Sequence, residues 1–276
     1  MSYQIEIVLP SPCFQPYIDY YKNVITDAEG NFKCIPNTNE ELYFNFKKLR
    51  LQSGTRYTLQ NPGVYFGGLH GYEQDAYSTL ENDVSGGFVI VFKPGGIRKL
   101  FRLSNSEIFG YAIDGENIFR DYCHDLWHEL KDMSSFHQKK AKVESFLLRF
   151  IKPEIAHYPL IDTITELIKN ENGMLTTGQL SYIYNISPRS LQRKFRDKIG
   201  MPPKEYLQIV RLNYALRLIQ KQDGTSLTRI SYLSGYYDQA HFIKDIKKIC
   251  GFSPGTLKKK TEHIEQCDNR NFLRIT

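Results

Sequence analysis

The chain has 276 residues, of which 41% are hydrophobic and 24% are charged, a composition that excludes a disordered or fibrous protein. No stretch approaches the roughly 18 consecutive apolar residues of a membrane span, and no secretory signal is evident, so we expect a cytoplasmic protein without membrane association. The net charge of +6 is uneven: residues 1–172 carry 18 Lys+Arg against 22 Asp+Glu, whereas residues 173–260 carry 16 against 5. That concentration of positive charge indicates a module that binds a polyanion.

Residues 3–110 are rich in Tyr, Phe, Val and Ile and are broken by Gly, Pro and Asn clusters, which predicts short strands between turns. We expect strands at YQIEIVL (3–9), ELYFNF (41–46), YTLQ (57–60), GVYFGGL (63–69) and GFVIVFK (87–93). The segment FVIVF (88–92) is apolar at every position, so it should be buried on both faces. A short helix is predicted next, at GIRKLFRL (96–103).

Helical periodicity begins after Gly115. Apolar residues recur at the i, i+3, i+4, i+7 spacing in residues 122–130 and again in 139–151, which predicts two amphipathic helices. Two prolines interrupt the pattern in KPEIAHYP (152–159), so we place a domain boundary there. The predicted division of the chain is 1–158, 159–260 and a C-terminal tail, 261–276.

Everything from Pro159 to the tail is predicted to be helical, with short loops. We expect helices at 160–170, 176–184, 188–199, 203–221, 226–234, 238–249 and 253–259. Residues suited to capping helix N-termini stand before these segments: Thr176 or Thr177, Ser187, Ser226, Asp238 and Ser253. Gly200 and Gly251 stand where helices should end.

This helical region contains an internal repeat of one structural unit. Shifting the sequence by 51 residues aligns equivalent positions: Leu191 with Phe242, Phe195 with Ile246, Gly200 with Gly251 and Pro203 with Pro254. The helix that precedes each of these segments aligns at a shift of 50 residues. Each copy is a helix, a turn and a second helix, which is a helix-turn-helix. The second helix of such a unit enters the major groove of DNA, so two units on one connector could contact two successive grooves.

The apolar positions of the two units are expected to form their cores. They are Leu180, Ile183, Leu191, Phe195, Ile230, Leu233, Phe242 and Ile246. The connector between the units, residues 203–221, is also rich in apolar residues and should pack on both of them.

The stretches ISPRSLQRKFRDKIGMPPKEYL and ISYLSGYYDQAHFIKDIKKICGFSP resemble the two helix-turn-helix units of the AraC/XylS family of bacterial transcription regulators. The resemblance covers roughly residues 160–260. It implies an α+β fold: an N-terminal β-rich, cupin-like barrel with flanking helices from about residue 115, then an all-α domain of two units joined by a connector helix. It also implies a transcription regulator, by analogy an activator, whose N-terminal domain senses a ligand or mediates dimerisation.

Double-stranded DNA is the main partner that the resemblance implies. RNA polymerase, a small-molecule effector and a second copy of the chain, joined through the helices of the N-terminal domain, are the further candidates.

Carried over by position, the resemblance implies base contacts from Arg189, Gln192 and Arg193 in the first unit and from Gln239, Ala240, His241 and Lys244 in the second. The chemistry agrees, since Arg pairs with guanine and Gln with adenine in the major groove. Phosphate contacts are expected from Lys194, Arg196, Lys198, Lys247 and Lys248. Ala240 and Asp245 depart from the family pattern, so the second unit should contribute less specificity than the first.

No enzymatic activity, metal or cofactor is expected. A metal-dependent cupin enzyme needs several converging His and carboxylate ligands, whereas the β-rich region contains His70 alone. His124 and His128 have the spacing of a zinc-binding pair, but no third ligand is evident. The five cysteines form no C-x-x-C pair, which argues against a structural zinc site.

Two roles remain open for the N-terminal domain: a sensor of a small molecule, or an interaction module for a protein partner. A sensor needs a largely apolar pocket with a few polar groups. The candidates for its lining are Tyr43, Tyr65, His70 and Tyr72.

Overall fold

A computed structural model describes residues 3–26, 30–34, 38–46, 49–53, 56–60, 63–67, 76–80, 85–102, 113–115, 122–151, 159–221, 223–259, 264–267 and 270–275. Strands and three helices make up the N-terminal part, and the part from Pro159 to Lys259 is helical. The predicted α+β fold class is confirmed.

Ten helices lie within the described residues. They are α1 (Gly96–Phe101), α2 (Tyr122–Asp132), α3 (Phe136–Leu147), α4 (Pro159–Asn170), α5 (Thr177–Ile183), α6 (Pro188–Lys198), α7 (Pro203–Gln220), α8 (Leu227–Leu233), α9 (Gln239–Cys250) and α10 (Pro254–Lys259). The predicted bounds of the seven helices from α4 onwards are each correct to within one residue.

The described strands form two six-stranded antiparallel sheets. They are β1 (Tyr3–Val8), β2 (Ile18–Thr26), β3 (Gly30–Cys34), β4 (Glu41–Asn45), β5 (Leu49–Ser53), β6 (Arg56–Gln60), β7 (Gly63–Gly67), β8 (Ala76–Leu80), β9 (Ser85–Phe92), β10 (Ile113–Asp114), β11 (Ile264–Cys267) and β12 (Arg270–Ile275). The first sheet has the order β1-β2-β9-β4-β7-β10 and the second β11-β12-β3-β8-β5-β6. All five predicted strands are present, while seven were missed: β2, β3, β5, β8, β10, β11 and β12.

Strand β9 is buried on both faces, as predicted. Phe88, Ile90 and Phe92 face one side, Val89 and Val91 face the other, and none of the five is more than 3% exposed. This alternation follows from the two-residue period of a strand. Helices α2 and α3 cover the face that bears the phenylalanines, so their apolar sides pack on the sheet.

Two polar contacts fix these helices to the sheet domain. The indole Nε1 of Trp127 on α2 donates to the backbone oxygen of Asn45 at 2.6 Å. The carboxylate of Glu144 on α3 accepts from the backbone nitrogen of Ser11 at 2.8 Å and from its hydroxyl at 2.6 Å. The helices are therefore tied at particular positions rather than held by apolar burial alone.

Most of the predicted helix caps are present. Thr176, not Thr177, caps α5, and it forms a capping box in which its hydroxyl accepts from the Gln179 backbone while the Gln179 side chain accepts from the Thr176 backbone. Ser187, Ser226 and Asp238 accept the corresponding backbone N–H of α6, α8 and α9. These caps explain why the helix starts could be located from sequence.

Each helix-turn-helix unit has its own core, and both cores include α7. Six of the eight predicted core residues are fully buried: Leu180, Leu191, Phe195, Ile230, Phe242 and Ile246. The prediction was wrong for Ile183 and Leu233, which are 52% and 40% exposed. Ser231 of α8 and its C-cap Ser234 are fully buried beside Ile230, whereas Leu233 is directed outward.

The two units also contact each other directly. Gly235, in the turn of the second unit, has a φ of +71°, and a Cβ placed there would lie 2.8 Å from Cγ of Met174 in the first unit. Arg211 of α7 holds its guanidinium 4.9 Å from the ring centre of Tyr236 in the second unit. The relative position of the two units is therefore fixed by this direct packing as well as by the connector helix α7.

The N-terminal domain meets the first unit. Lys99 of α1 donates to both carboxylate oxygens of Asp162 on α4, at 2.5 and 2.6 Å. Gly95 approaches the end of α6 so closely that a Cβ there would lie 2.5 Å from the backbone oxygen of Lys198. Burial at this junction lowers the pKa of Lys169 on α4, against the opposing attraction of Asp19 on β2.

The C-terminal tail returns to the N-terminal domain. Strand β12 pairs with β11 on one side and with β3 on the other, in an antiparallel register that runs from Phe272 opposite Cys34 to Ile275 opposite Asn31. The second sheet is thus assembled from both ends of the sequence.

The contact between the units generates a stability prediction. Gly235→Ala should lower the free energy of unfolding by more than the about 1–2 kcal/mol that a left-handed backbone costs an alanine, because the new methyl also meets Met174. Gly224→Ala is the matched control: its φ is +80°, but nothing lies within 4 Å of the added Cβ. Urea unfolding of both variants measures the difference, and Met174→Ala should relieve it. Equal losses for the two variants would show that the contact does not contribute.

Candidate nucleic-acid interface

Helices α6 and α9 each have one buried and one exposed face. Leu191 and Phe195 anchor α6, Phe242 and Ile246 anchor α9, and all four are fully buried. Between these anchors, Gln192, Arg193 and Lys244 are exposed. These two exposed faces, with their capped N-termini, form the candidate interface.

In the first unit, the structure brings together the three predicted base-contacting residues. Arg189, Gln192 and Arg193 are all exposed on α6. They share a surface concavity of about 460 Å³ whose lining is Ser187, Arg189, Ser190, Gln192, Arg193, Arg196 and Asp197. Three guanidinium groups against one carboxylate make this concavity positively charged, which suits an anionic ligand.

The predicted phosphate-contacting residues lie further along the same helices. Arg196 on α6 and Lys247 and Lys248 on α9 are exposed, whereas Lys194 and Lys198 are partly buried. Lys198 is the last residue of α6, where that helix meets the N-terminal domain.

In the second unit, the predicted base-contacting residues Gln239 and His241 make contacts with other side chains. Gln239 is the first residue of α9, and its side-chain oxygen accepts a hydrogen bond from the hydroxyl of Thr228 at 2.9 Å. His241 lies between the Tyr236 ring, 5.3 Å away between centroids, and Asp245, whose Oδ2 is 3.6 Å from Nε2. Asp245, the acid that departs from the family pattern, therefore lies close to His241 on the same helix.

Counting from the N-caps, the two helices present different chemistry at equivalent positions. The second helical residue is Arg189 in α6 and Ala240 in α9, and the fifth is Gln192 in α6 and the partly buried Ile243 in α9. Two positions are basic in both helices: the sixth, with Arg193 and Lys244, and the ninth, with Arg196 and Lys247. The first unit thus offers more hydrogen-bonding groups, as expected from sequence.

The turn of the second unit is one residue longer than that of the first. Residues 184–187 join α5 to α6, whereas residues 234–238 join α8 to α9. This difference accounts for the change from a 50-residue to a 51-residue repeat. The longer turn contains Tyr236, which is buried, and Tyr237, which is 89% exposed beside the N-cap Asp238.

Three residues that sequence reasoning missed support the second recognition helix. Thr228 bonds Gln239, Tyr236 packs against His241, and Arg211 packs against Tyr236. Burial raises the pKa of Tyr236 to about 12, with the Arg211 cation opposing the shift, so the phenol keeps its proton at neutral pH. The three contacts join residues that are 5 to 25 positions apart along the chain, and no periodic pattern links them.

In the N-terminal domain, one predicted pocket residue has a described environment. Tyr43 packs with Tyr20, Val89 and Val91 on the face of the first sheet that α2 and α3 do not cover. The strand register places Lys22 and Glu41 on that same face, where they form a buried ion pair of 3.3 Å. The side chain of Tyr65, and the whole of His70 and Tyr72, lie outside the described residues; the backbone of Tyr65 pairs with Tyr43.

The described residues were also compared with the requirements of a metal site and of a membrane span. The Nε2 atoms of His124 and His128 are 3.2 Å apart on the surface of α2. Nevertheless, no group of three or more His, Cys, Asp or Glu residues suited to a metal ion occurs among the residues that the structure describes. Within the same ranges, no helix is long and apolar enough to cross a membrane.

Comparison with known proteins gives two matches to family models. Residues 180–260 match a model described as a helix-turn-helix domain, and residues 6–114 match one described as a domain of unknown function, DUF6597. The two models cover the two halves of the architecture separately.

Curated relatives match over about a third of this chain. The transcriptional activator RhaS of Pectobacterium carotovorum is 30% identical over 100 residues, which are 36% of this chain and 36% of RhaS. The transcriptional regulator GlxA of Rhizobium meliloti is 32% identical over 82 residues, 30% of this chain and 25% of GlxA. The chain thus spans from a quarter to little more than a third of the length of these relatives.

Among solved structures, ToxT of Vibrio cholerae aligns with 95% of this chain and 100% of its own, with a TM-score of 0.49 and 12% identity. The helix-turn-helix match at residues 180–260 includes both recognition helices and the N-caps of α6, α8 and α9. The C-terminal domain of this chain is therefore a helix-turn-helix domain that resembles those of the AraC/XylS family.

Proposed function

We propose that the protein is a sequence-specific DNA-binding transcription regulator of the cytoplasm, without enzymatic activity, that places α6 and α9 in adjacent major grooves. The observation that supports this most directly is the pair of anchored, N-capped helices with exposed polar and basic faces on one scaffold. A major groove about 12 Å wide admits one helix, and the N-terminal residues of that helix reach the base edges.

The length of the connector fits this arrangement. Helix α7 has 18 residues, which span about 27 Å at 1.5 Å per residue. Equivalent positions of the major groove recur about every 34 Å along one face of the duplex. A scaffold of this length, with one unit packed near each end, suits two successive grooves without a second copy of the chain.

We assign different roles to the residues of the interface. Arg189, Gln192 and Arg193 are proposed to contact bases, because they lie in the N-terminal half of α6, the part of a recognition helix that reaches base edges. Gln239, His241 and Lys244 are the corresponding residues of α9. The phosphate contacts are assigned to Lys194, Arg196, Lys198, Lys247 and Lys248, which give affinity without sequence information.

Control of this activity is assigned to the N-terminal domain, with domain limits at 1–158 and 159–260. Binding of a small-molecule effector is supported by the buried face that combines Tyr20 and Tyr43 with the Lys22–Glu41 ion pair. The contact between Lys99 and Asp162 gives such an effector a physical route to the first unit. Activation, contact with RNA polymerase and dimerisation through α2 and α3 are proposed by analogy with the family.

The first test of DNA binding is its dependence on salt. The full chain should bind duplex DNA with an affinity that falls steeply from 50 to 200 mM salt, by about 10³-fold if roughly six phosphates are neutralised. Lys247→Gln should weaken binding to all duplexes alike and reduce the slope of log K against log salt by about 1. Titration of fluorescent duplexes measures both effects, and absence of binding to any duplex at low salt contradicts the proposal.

Base readout by α6 can be separated from phosphate contact on the same helix. Arg193→Ala should lose about 1–3 kcal/mol at the selected site and relax base preference at one position. Arg196→Ala is the control, because it removes the same kind of side chain from a position assigned to phosphate. Competition between selected and random duplexes measures the difference. If both variants lose affinity equally for both duplexes, Arg193 is a phosphate contact too.

The role of the N-terminal domain can be decided by a thermal-unfolding screen of the full chain against small metabolites. A bound effector stabilises by mass action, by about 2.7 kcal/mol at a hundredfold excess over its Kd. Tyr43→Ala should reduce that stabilisation, whereas Tyr182→Ala, on the exposed surface of α5, should leave it unchanged. A flat screen would favour a protein partner for this domain instead.

A further inference from the structure

The side chain of Gln239 is held by a residue of the other helix of its unit. Gln239 begins α9, at the end of the helix that enters the groove, and its Oε1 accepts a hydrogen bond of 2.9 Å from the hydroxyl of Thr228 on α8. We propose that Thr228 is a specificity-determining residue: it fixes the orientation of the Gln239 amide so that this side chain selects adenine. The proposal rests on the DNA-binding function proposed above.

The chemistry of the amide explains why its orientation matters. A glutamine recognises adenine with both ends, since its oxygen accepts from N6 and its nitrogen donates to N7. An amide that can turn over offers the opposite pattern equally well, and it loses rotational freedom when it binds. The Thr228 hydroxyl occupies one lone pair of Oε1, which fixes the side of the oxygen and leaves the second lone pair and both N–H donors available.

The first unit has no equivalent of this pair. At the shifts that relate the two units, Gly178 stands where Thr228 stands, and Pro188 stands where Gln239 stands. Neither residue has a polar side chain. The device therefore belongs to the second unit, where Ala240 and Ile243 replace the Arg189 and Gln192 of the first. A single orientated amide has greater weight in a helix with so few other groups that can contact bases.

The experiment begins with the full-length protein and a library of random duplexes, from which repeated selection gives the preferred site. Binding is then measured to duplexes that carry each of the four base pairs at every position. Gln239→Ala identifies the position that Gln239 contacts, as the one where base preference is lost. Thr228→Val removes the hydroxyl and keeps the shape of the side chain, whereas Thr228→Ser keeps the hydroxyl.

The expected result is a preference for adenine of about fivefold or more at that position in the parent protein, the lower limit for a bidentate contact. Thr228→Val should reduce this preference toward that of Gln239→Ala, with other positions unchanged, and Thr228→Ser should retain it. A Thr228→Val profile identical to the parent overturns the inference. So does a uniform loss of affinity for all duplexes, which would make Thr228 a backbone contact or a structural residue. Failure to select any duplex would instead overturn the DNA-binding function itself.

Discussion

Burial of α7 against both helix-turn-helix units is the interaction on which the DNA-binding half depends. Ten of its 18 residues are buried, and they occur on nearly every side of the helix rather than along one stripe. Tyr206 and Ile209 belong to the core of the first unit, whereas Leu216 and Ile219 belong to that of the second. Neither recognition helix can shift without disturbing the same scaffold, so hydrophobic packing sets the distance between α6 and α9.

The helical half was predictable because its signals are local. Caps such as Ser187 and Asp238 mark helix starts within three residues of the N–H groups that they bond, and Gly251 ends α9 with a left-handed backbone. The misplaced core residues Ile183 and Leu233 show where local reasoning stops. Their helices pack through Ser181, Ser231 and Ser234, and a small polar residue gives no sign in the sequence that it will lie inside.

The β-rich half was less predictable because its strands depend on partners far away in the chain. Strand β2 was missed although it lies beside the central strand, since the buried Lys22 and Asn23 interrupt its apolar pattern. The same limit applies to the interface. Helical spacing placed Arg189, Gln192 and Arg193 on one face of α6. The hydrogen bond between Thr228 and Gln239, in contrast, joins two different helices, so only the packing of α8 against α9 reveals it.

The pairing of β12 with β3 has a consequence for how the protein is made. Residues 30–34 leave the ribosome about 240 residues before their partners at 272–275. Domains usually fold in order from the N-terminus during translation, and contacts between distant residues form slowly. Until the whole DNA-binding domain has emerged, one edge of β3 has no partner strand from the C-terminus. Completion of the second sheet is thereby delayed until residues 159–259 have been synthesised.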